Sequence, residues 1–85
     1  MASKGVILSE TPLALPGVSE DTRYAAQNKS NVPVILTVAT SQPLATERKS
    51  AAILSLEWIY FSKSSGEEVY VWSSNGDGYL FYEEE

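Results

Sequence analysis

Between Leu56 and Tyr82 the chain carries three short apolar runs, LEWIYF, VYVWSS and YLFY, separated by the polar turns SKSSGEE and NGDG. Eight of the nine aromatic residues fall in this stretch, and only Tyr24 lies outside it. Each such side chain can bury roughly 150 to 250 Å², so whatever fold forms must organise itself around these runs. Their length and the turn residues between them predict a β-meander. Trp58 and Tyr60 alternate with Ile59 and Phe61, Val69 and Val71 with Tyr70 and Trp72, and Tyr79 and Phe81 with Leu80 and Tyr82. Neither face of any run is polar, whereas a sheet wetted on one side places polar residues on that side. Both faces therefore call for a cover. The N-terminal strands can supply one by forming a sandwich; the other is left to a tight barrel curl, an exposed binding patch or another copy of the chain.

The first half reads as shorter strands broken by proline. Residues 1 to 5 predict a loose arm, and Val6, Ile7 and Leu8 form a β-prone run suited to a sheet edge. Pro12 and Pro16 bracket Leu13 to Leu15 and confine that piece to an edge or a turn, because proline cannot donate to a ladder. Arg23 to Asn28 reads as a strand with Tyr24 and Ala26 on one face, followed by a turn at Asn28 to Asn31. Val32 to Thr40 is β-branched and apolar on both faces, which predicts a central strand. Leu44 to Ser50 is expected to loop and Ala51 to Leu54 to extend, with a helical turn as the competing reading of this region. The expected fold is all-β: a small antiparallel β-sandwich or jelly-roll-like barrel with a C-terminal aromatic meander, one domain over 1–85, ending in an acidic tail at 83–85.

Composition excludes several classes of function. A net charge of −5 argues against a phosphate-binding surface, so no nucleic acid is expected as a partner. The chain has no Cys and no His, which removes the usual zinc and haem ligands; no cofactor and no metal are expected. No apolar run approaches the ~20 residues of a membrane span, and the apolar stretch near the N-terminus is too short for a signal peptide. The expectation is a soluble chain made in the cytoplasm, with no membrane partner.

Catalysis has few candidates. Without His a serine nucleophile lacks its usual base, and the neighbours Lys49-Ser50 and Ser62-Lys63 read better as solvated loops than as Ser-Lys pairs. Glu57 beside Trp58 could have a raised pKa, but a surface acid at a strand start is the simpler reading. Asn75-Gly76-Asp77-Gly78 resembles part of a calcium loop without the remaining ligands, and reads more simply as a hairpin turn. No enzyme activity is expected. The aromatic stripe could stack on sugar rings through Trp72, Tyr70 and Tyr82, or fill a core and a subunit interface; the second is favoured, because aromatics dominate both. The expected contact surface is Tyr70, Trp72, Leu80 and Tyr82, joined by Val6, Ile7 and Leu8 as an arm onto a neighbour.

Taken together, the opening TPLAL, the central DTRYAAQNKSNVPVIL, the approach to EWIYF and the closing GEEVYVWSSNGDGYLFYEE resemble a group of short virion structural proteins of tailed bacteriophages. Thr11, Leu13, Tyr24, Gln27, Asn28, Val34, Trp58, Gly66, Val71, Trp72, Gly78 and the terminal acids carry that likeness. Related patterns have a Pro-Gly before the tryptophan, where this chain has Leu54-Ser55-Leu56-Glu57. The resemblance implies a compact β-sandwich that decorates or cements a capsid, or a fibre or adaptor piece of the head or tail. It implies a homo-oligomer, with a trimer among the candidates, bound to a major capsid or other virion protein and located in the virion.

Overall fold

The computed structural model describes residues 3–43 and 51–85. Eight strands form in chain order: β1 (Ser3–Leu8), β2 (Leu13–Ala14), β3 (Tyr24–Asn28), β4 (Val34–Ala39), β5 (Ala51–Ile53), β6 (Trp58–Phe61), β7 (Glu68–Ser73) and β8 (Gly78–Glu84). They make two four-stranded sheets, ordered β1-β8-β3-β6 and β2-β7-β4-β5, with every pairing antiparallel. Among neighbours in the chain, only β4 and β5 are also neighbours in a sheet. The first strand pairs with the last, the second with the seventh and the third with the sixth and eighth. That order is the jelly roll, two interleaved Greek keys closing a sandwich.

The all-β sandwich expected from the sequence is thus present, but the C-terminal meander is not. β6, β7 and β8 form where the aromatic runs lie, yet they alternate between the sheets and never pair with one another. Asn75-Gly76 turns the chain between sheets rather than closing a hairpin, and Gly76 supplies the left-handed φ of 78° that the turn needs. Local pattern predicts strands well and their partners poorly, because a turn of the same residues can lead to either sheet.

Alternation along each strand builds the shared core. Tyr24, Ala26, Val34, Leu36, Phe61, Val69, Val71, Leu80 and Tyr82 are buried between the sheets, with Leu8, Leu15 and Ile53 closing the ends. Tyr24 stacks on Phe61, its register partner, with ring centroids 5.6 Å apart. β4 is interior to its sheet, as its two apolar faces predict. β5 confirms an extended Ala51 to Ile53; the expected loop at 44–50 lies outside the described residues.

One buried polar side chain ties the sheets together. Asn28, at the inward end of β3, donates through Nδ2 to the carbonyls of Val32 and Ile53, each at 2.8 Å, and accepts from Ser30 N at 2.9 Å. Its hydrogen-bonding capacity is used, which is the condition for burying an amide without penalty.

The two ends of the chain are more ordered than expected. Of the expected arm, Ser3 to Gly5 belong to β1, and Glu83 and Glu84 of the expected acidic tail belong to β8. Glu85 N donates to Arg23 O at 2.9 Å, and its carboxylate lies 3.4 Å from the Arg23 guanidinium. Among the described residues no helix is long and apolar enough to cross a membrane.

Candidate functional site

The open feature of this molecule is the outer face of the β1-β8-β3-β6 sheet. Antiparallel register fixes its rows: Gly5, Phe81, Gln27 and Trp58 lie across one, Glu83, Ala25 and Tyr60 across the next, and Ile7 sits opposite Tyr79 in a third. Residues opposite one another share a face. Ile7 is 75% exposed, Trp58 49%, Tyr60 52% and Tyr79 40%, with Phe81 half-buried among them.

Side-chain contacts preorganise this face. Trp58 meets Phe81 edge to face, with centroids 6.4 Å apart. The Arg23 guanidinium lies 4.6 Å from the Tyr60 ring centre, and the Lys29 ammonium 5.4 Å from that of Phe81. These cation–π contacts hold two charges against the aromatic surface. Tyr79 leans over Gly5, where a β-carbon would collide with its phenol ring; the missing side chain is what lets the ring lie there.

The other sheet differs. Tyr70 and Trp72 alternate with the inward Val69, Val71 and Ser73 and so face away from the shared core. Tyr70 is half-buried, but Trp72 is 1% exposed. The outer cover, which the sequence left to a barrel curl, an exposed patch or another copy, is at Trp72 provided within the chain.

The expected contact residues therefore separate. Leu80, Tyr82 and Leu8 belong to the shared core and Trp72 is enclosed, so none of the four presents surface to a partner. Val6 is half-buried against the core. Ile7 is fully available and Tyr70 partly so. On β8 the error is one of parity: Tyr79 and Phe81 face outward, Leu80 and Tyr82 inward. Trp58 and Tyr60 on β6 were missed altogether. Arg23 just before β3, Gln27 on it, and Ser62 two residues beyond Tyr60 carried the usable signal, because polar residues in step with an aromatic mark the wet side.

A cleft and the residues that the sequence weighed for chemistry remain to be placed. A cleft of about 200 Å³ is lined by Lys4, Gly17, Ser19, Tyr24, Tyr82, Glu83 and Glu84. Its phenols are engaged: Tyr82 donates to Pro16 O at 2.7 Å, and Tyr24 accepts from Ser19 N at 2.8 Å. Burial, and then the neighbouring Tyr24, raise the pKa of Tyr82 above the ordinary phenol value. Glu57 accepts from Leu54 N at 2.8 Å within its own turn, and Lys63 pairs with Glu68 at 2.7 Å. Lys49-Ser50 lies outside the described residues. Among the described residues no three acidic, Cys or His side chains gather where they could hold a metal.

No family model, curated protein or solved structure matches this chain. The site's meaning rests on its own geometry.

Proposed function

We propose that the chain is a non-enzymatic structural protein of a tailed-phage virion, a capsid decoration subunit that attaches through the outer face of its β1-β8-β3-β6 sheet. The observation that carries the contact reading is the exposed set of Ile7, Trp58, Tyr60 and Tyr79 around Phe81. Trp, Tyr and Arg are the residue types that dominate binding energy at interfaces, and here Arg23 is already seated on Tyr60. The virion assignment comes from the sequence resemblance, and the jelly roll agrees with it at the level of architecture, since shell proteins and lectins share that fold. Many copies, each adding a modest contact, would reinforce a shell by multivalency. Fibre and adaptor roles in the head or tail use the same surface.

The test is mass spectrometry of purified virions together with rebinding of the purified protein to particles stripped of it. The expected result is a protein present at many copies that rebinds as wild type and fails to rebind as Trp58→Asp with unchanged melting. Absence from purified particles would overturn the assignment.

A carbohydrate- or host-surface-binding module is the second reading, favoured by exposed Trp58 beside Gln27 in one row. The stacking platform then moves from the enclosed Trp72 and Tyr82 to Trp58 and Tyr60. Saturable quenching of Trp58 fluorescence by an oligosaccharide would support this reading over decoration.

A further inference from the structure

We propose that β1 is a self-pairing edge: two copies join β1 to β1 antiparallel across a two-fold axis at Val6, extending the β1-β8-β3-β6 sheet from four strands to eight. This deepens the contact reading and rests on it for the use of the dimer, since the aromatic faces of both copies would then form one continuous surface.

The four sheet edges are not alike. β2 has two residues and lies between Pro12 and Pro16, β5 has three and β6 has four, whereas β1 has six. Short strands and proline are how natural proteins blunt edges against pairing. β1 contains neither proline nor a bulge, and it pairs residue for residue with β8 on its inner side alone. Its single charge, Lys4, turns away from the aromatic face, with the ammonium over Gly17.

Side-chain shape selects the partner and the register. A strand paired antiparallel with its own copy gives an isologous contact, in which each residue meets its complement twice. Preserving inner and outer faces requires opposed residues of equal parity. With Val6 on the axis, Ile7 of each copy falls beside Gly5 of the other and against the Tyr79 phenol that lies over that glycine. Among the described residues Ile7 is the most exposed large apolar side chain, and this register gives it an aromatic ring to pack on. With Gly5 on the axis instead, the two Tyr79 phenols are brought together over the facing glycines and Ile7 stays uncovered.

The absence of cysteine from the chain makes the register directly testable by single-cysteine crosslinking. On the axis, opposed α-carbons lie about 4.5 to 5.5 Å apart, within the span a disulfide bridges. The two copies of residue 7 would be about 8 Å apart, from strand rise and spacing, beyond that span. Full-length Val6→Cys and Ile7→Cys proteins are oxidised under mild conditions, and wild type, Ile7→Lys and Trp58→Asp are sized by sedimentation. The expected result is a wild-type dimer, rapid crosslinking of Val6→Cys, slow crosslinking of the more exposed Ile7→Cys, and a folded monomer for Ile7→Lys. Faster crosslinking of Ile7→Cys, or a wild-type monomer at every concentration, overturns the edge pairing. If Trp58→Asp breaks the dimer and Ile7→Lys does not, the pairing also fails, while the aromatic face keeps its contact role.

Discussion

The two sheets use tryptophan in opposite ways. Trp58 and Trp72 both lie on the outer side of their sheet, away from the shared core, yet one is 49% exposed and the other 1%. Outward orientation and exposure are therefore separate properties: alternation decides the first, and what the rest of the chain lays over the sheet decides the second. One sandwich consequently presents a single open aromatic face.

The strongest way to break this contrast is to charge each indole. Trp72→Asp should leave the chain unfolded at 25 °C, because truncating a buried Trp alone costs about 3 to 5 kcal/mol, a large part of the stability of a small domain. Trp58→Asp should melt within about 0.5 kcal/mol of wild type, as exposed substitutions do. Circular dichroism and thermal melting distinguish these outcomes, and a folded Trp72→Asp protein would show that Trp72 is not enclosed. Next in size, the same division runs between neighbours on β3. Asn28→Ala strands the carbonyls of Val32 and Ile53 and should cost about 2 kcal/mol or more in urea unfolding. The adjacent half-exposed Gln27, which donates to Leu56 O at 3.1 Å, should lose less than about 1 kcal/mol on replacement by Ala.

How far the sequence foretold this division depends on the strand. At β3, Arg23 just before the strand and Gln27 within it flank Tyr24 and Ala26, and that polarity marks the inner face correctly. On β8, Tyr79 to Tyr82 offers four large apolar residues in succession, so composition alone does not choose a face. Choice of partner strand was the harder loss. A meander and a jelly roll use the same strands and turns, and they differ in contacts between residues far apart in the chain, which local patterning does not encode.

Tyr82 gives a third, pH-dependent contrast between inside and outside. Its folded pKa is raised above the unfolded value of about 10, so the unfolded chain releases that proton first. The stability held by the neutral phenol is thus complete below pH 10 and falls as pH rises through the folded value. Alkaline urea titrations should show wild type losing stability above pH 10 more steeply than Tyr82→Phe, while Tyr82→Phe is weaker near neutrality for want of the bond to Pro16 O. Equal slopes would mean that the phenol is not buried against ionisation.

The smallest effect sharpens a comparison between two turns. Leu54-Ser55-Leu56-Glu57 and Ser64-Ser65-Gly66-Glu67 close alike: in each the Glu amide donates to the first carbonyl, at 3.0 and 3.1 Å, and the Glu carboxylate accepts from the first amide at 2.8 Å. Their third residues both have positive φ, 66° at Leu56 and 85° at Gly66. Left-handed φ costs a residue with a β-carbon roughly 1 to 2 kcal/mol, part of which glycine returns through its looser unfolded chain. Leu56→Gly should therefore stabilise the protein by about 0.5 kcal/mol, and Gly66→Leu should destabilise it by a similar amount or more. Leu56 adopts a backbone shape that glycine favours without being one.

The pairing of β1 with β8 has a further consequence. Ser3 stands opposite Glu83, so the start of β1 and the end of β8 lie side by side in one sheet. β1 can take its seat only after β8 has been made, so closing this pair is a slow, long-range step of folding. It also means that a short linker can connect the end of β8 to the start of β1 and new termini can be opened elsewhere, for instance in the exposed turn at Gly66, turning the molecule into a permutable carrier whose aromatic face stays intact.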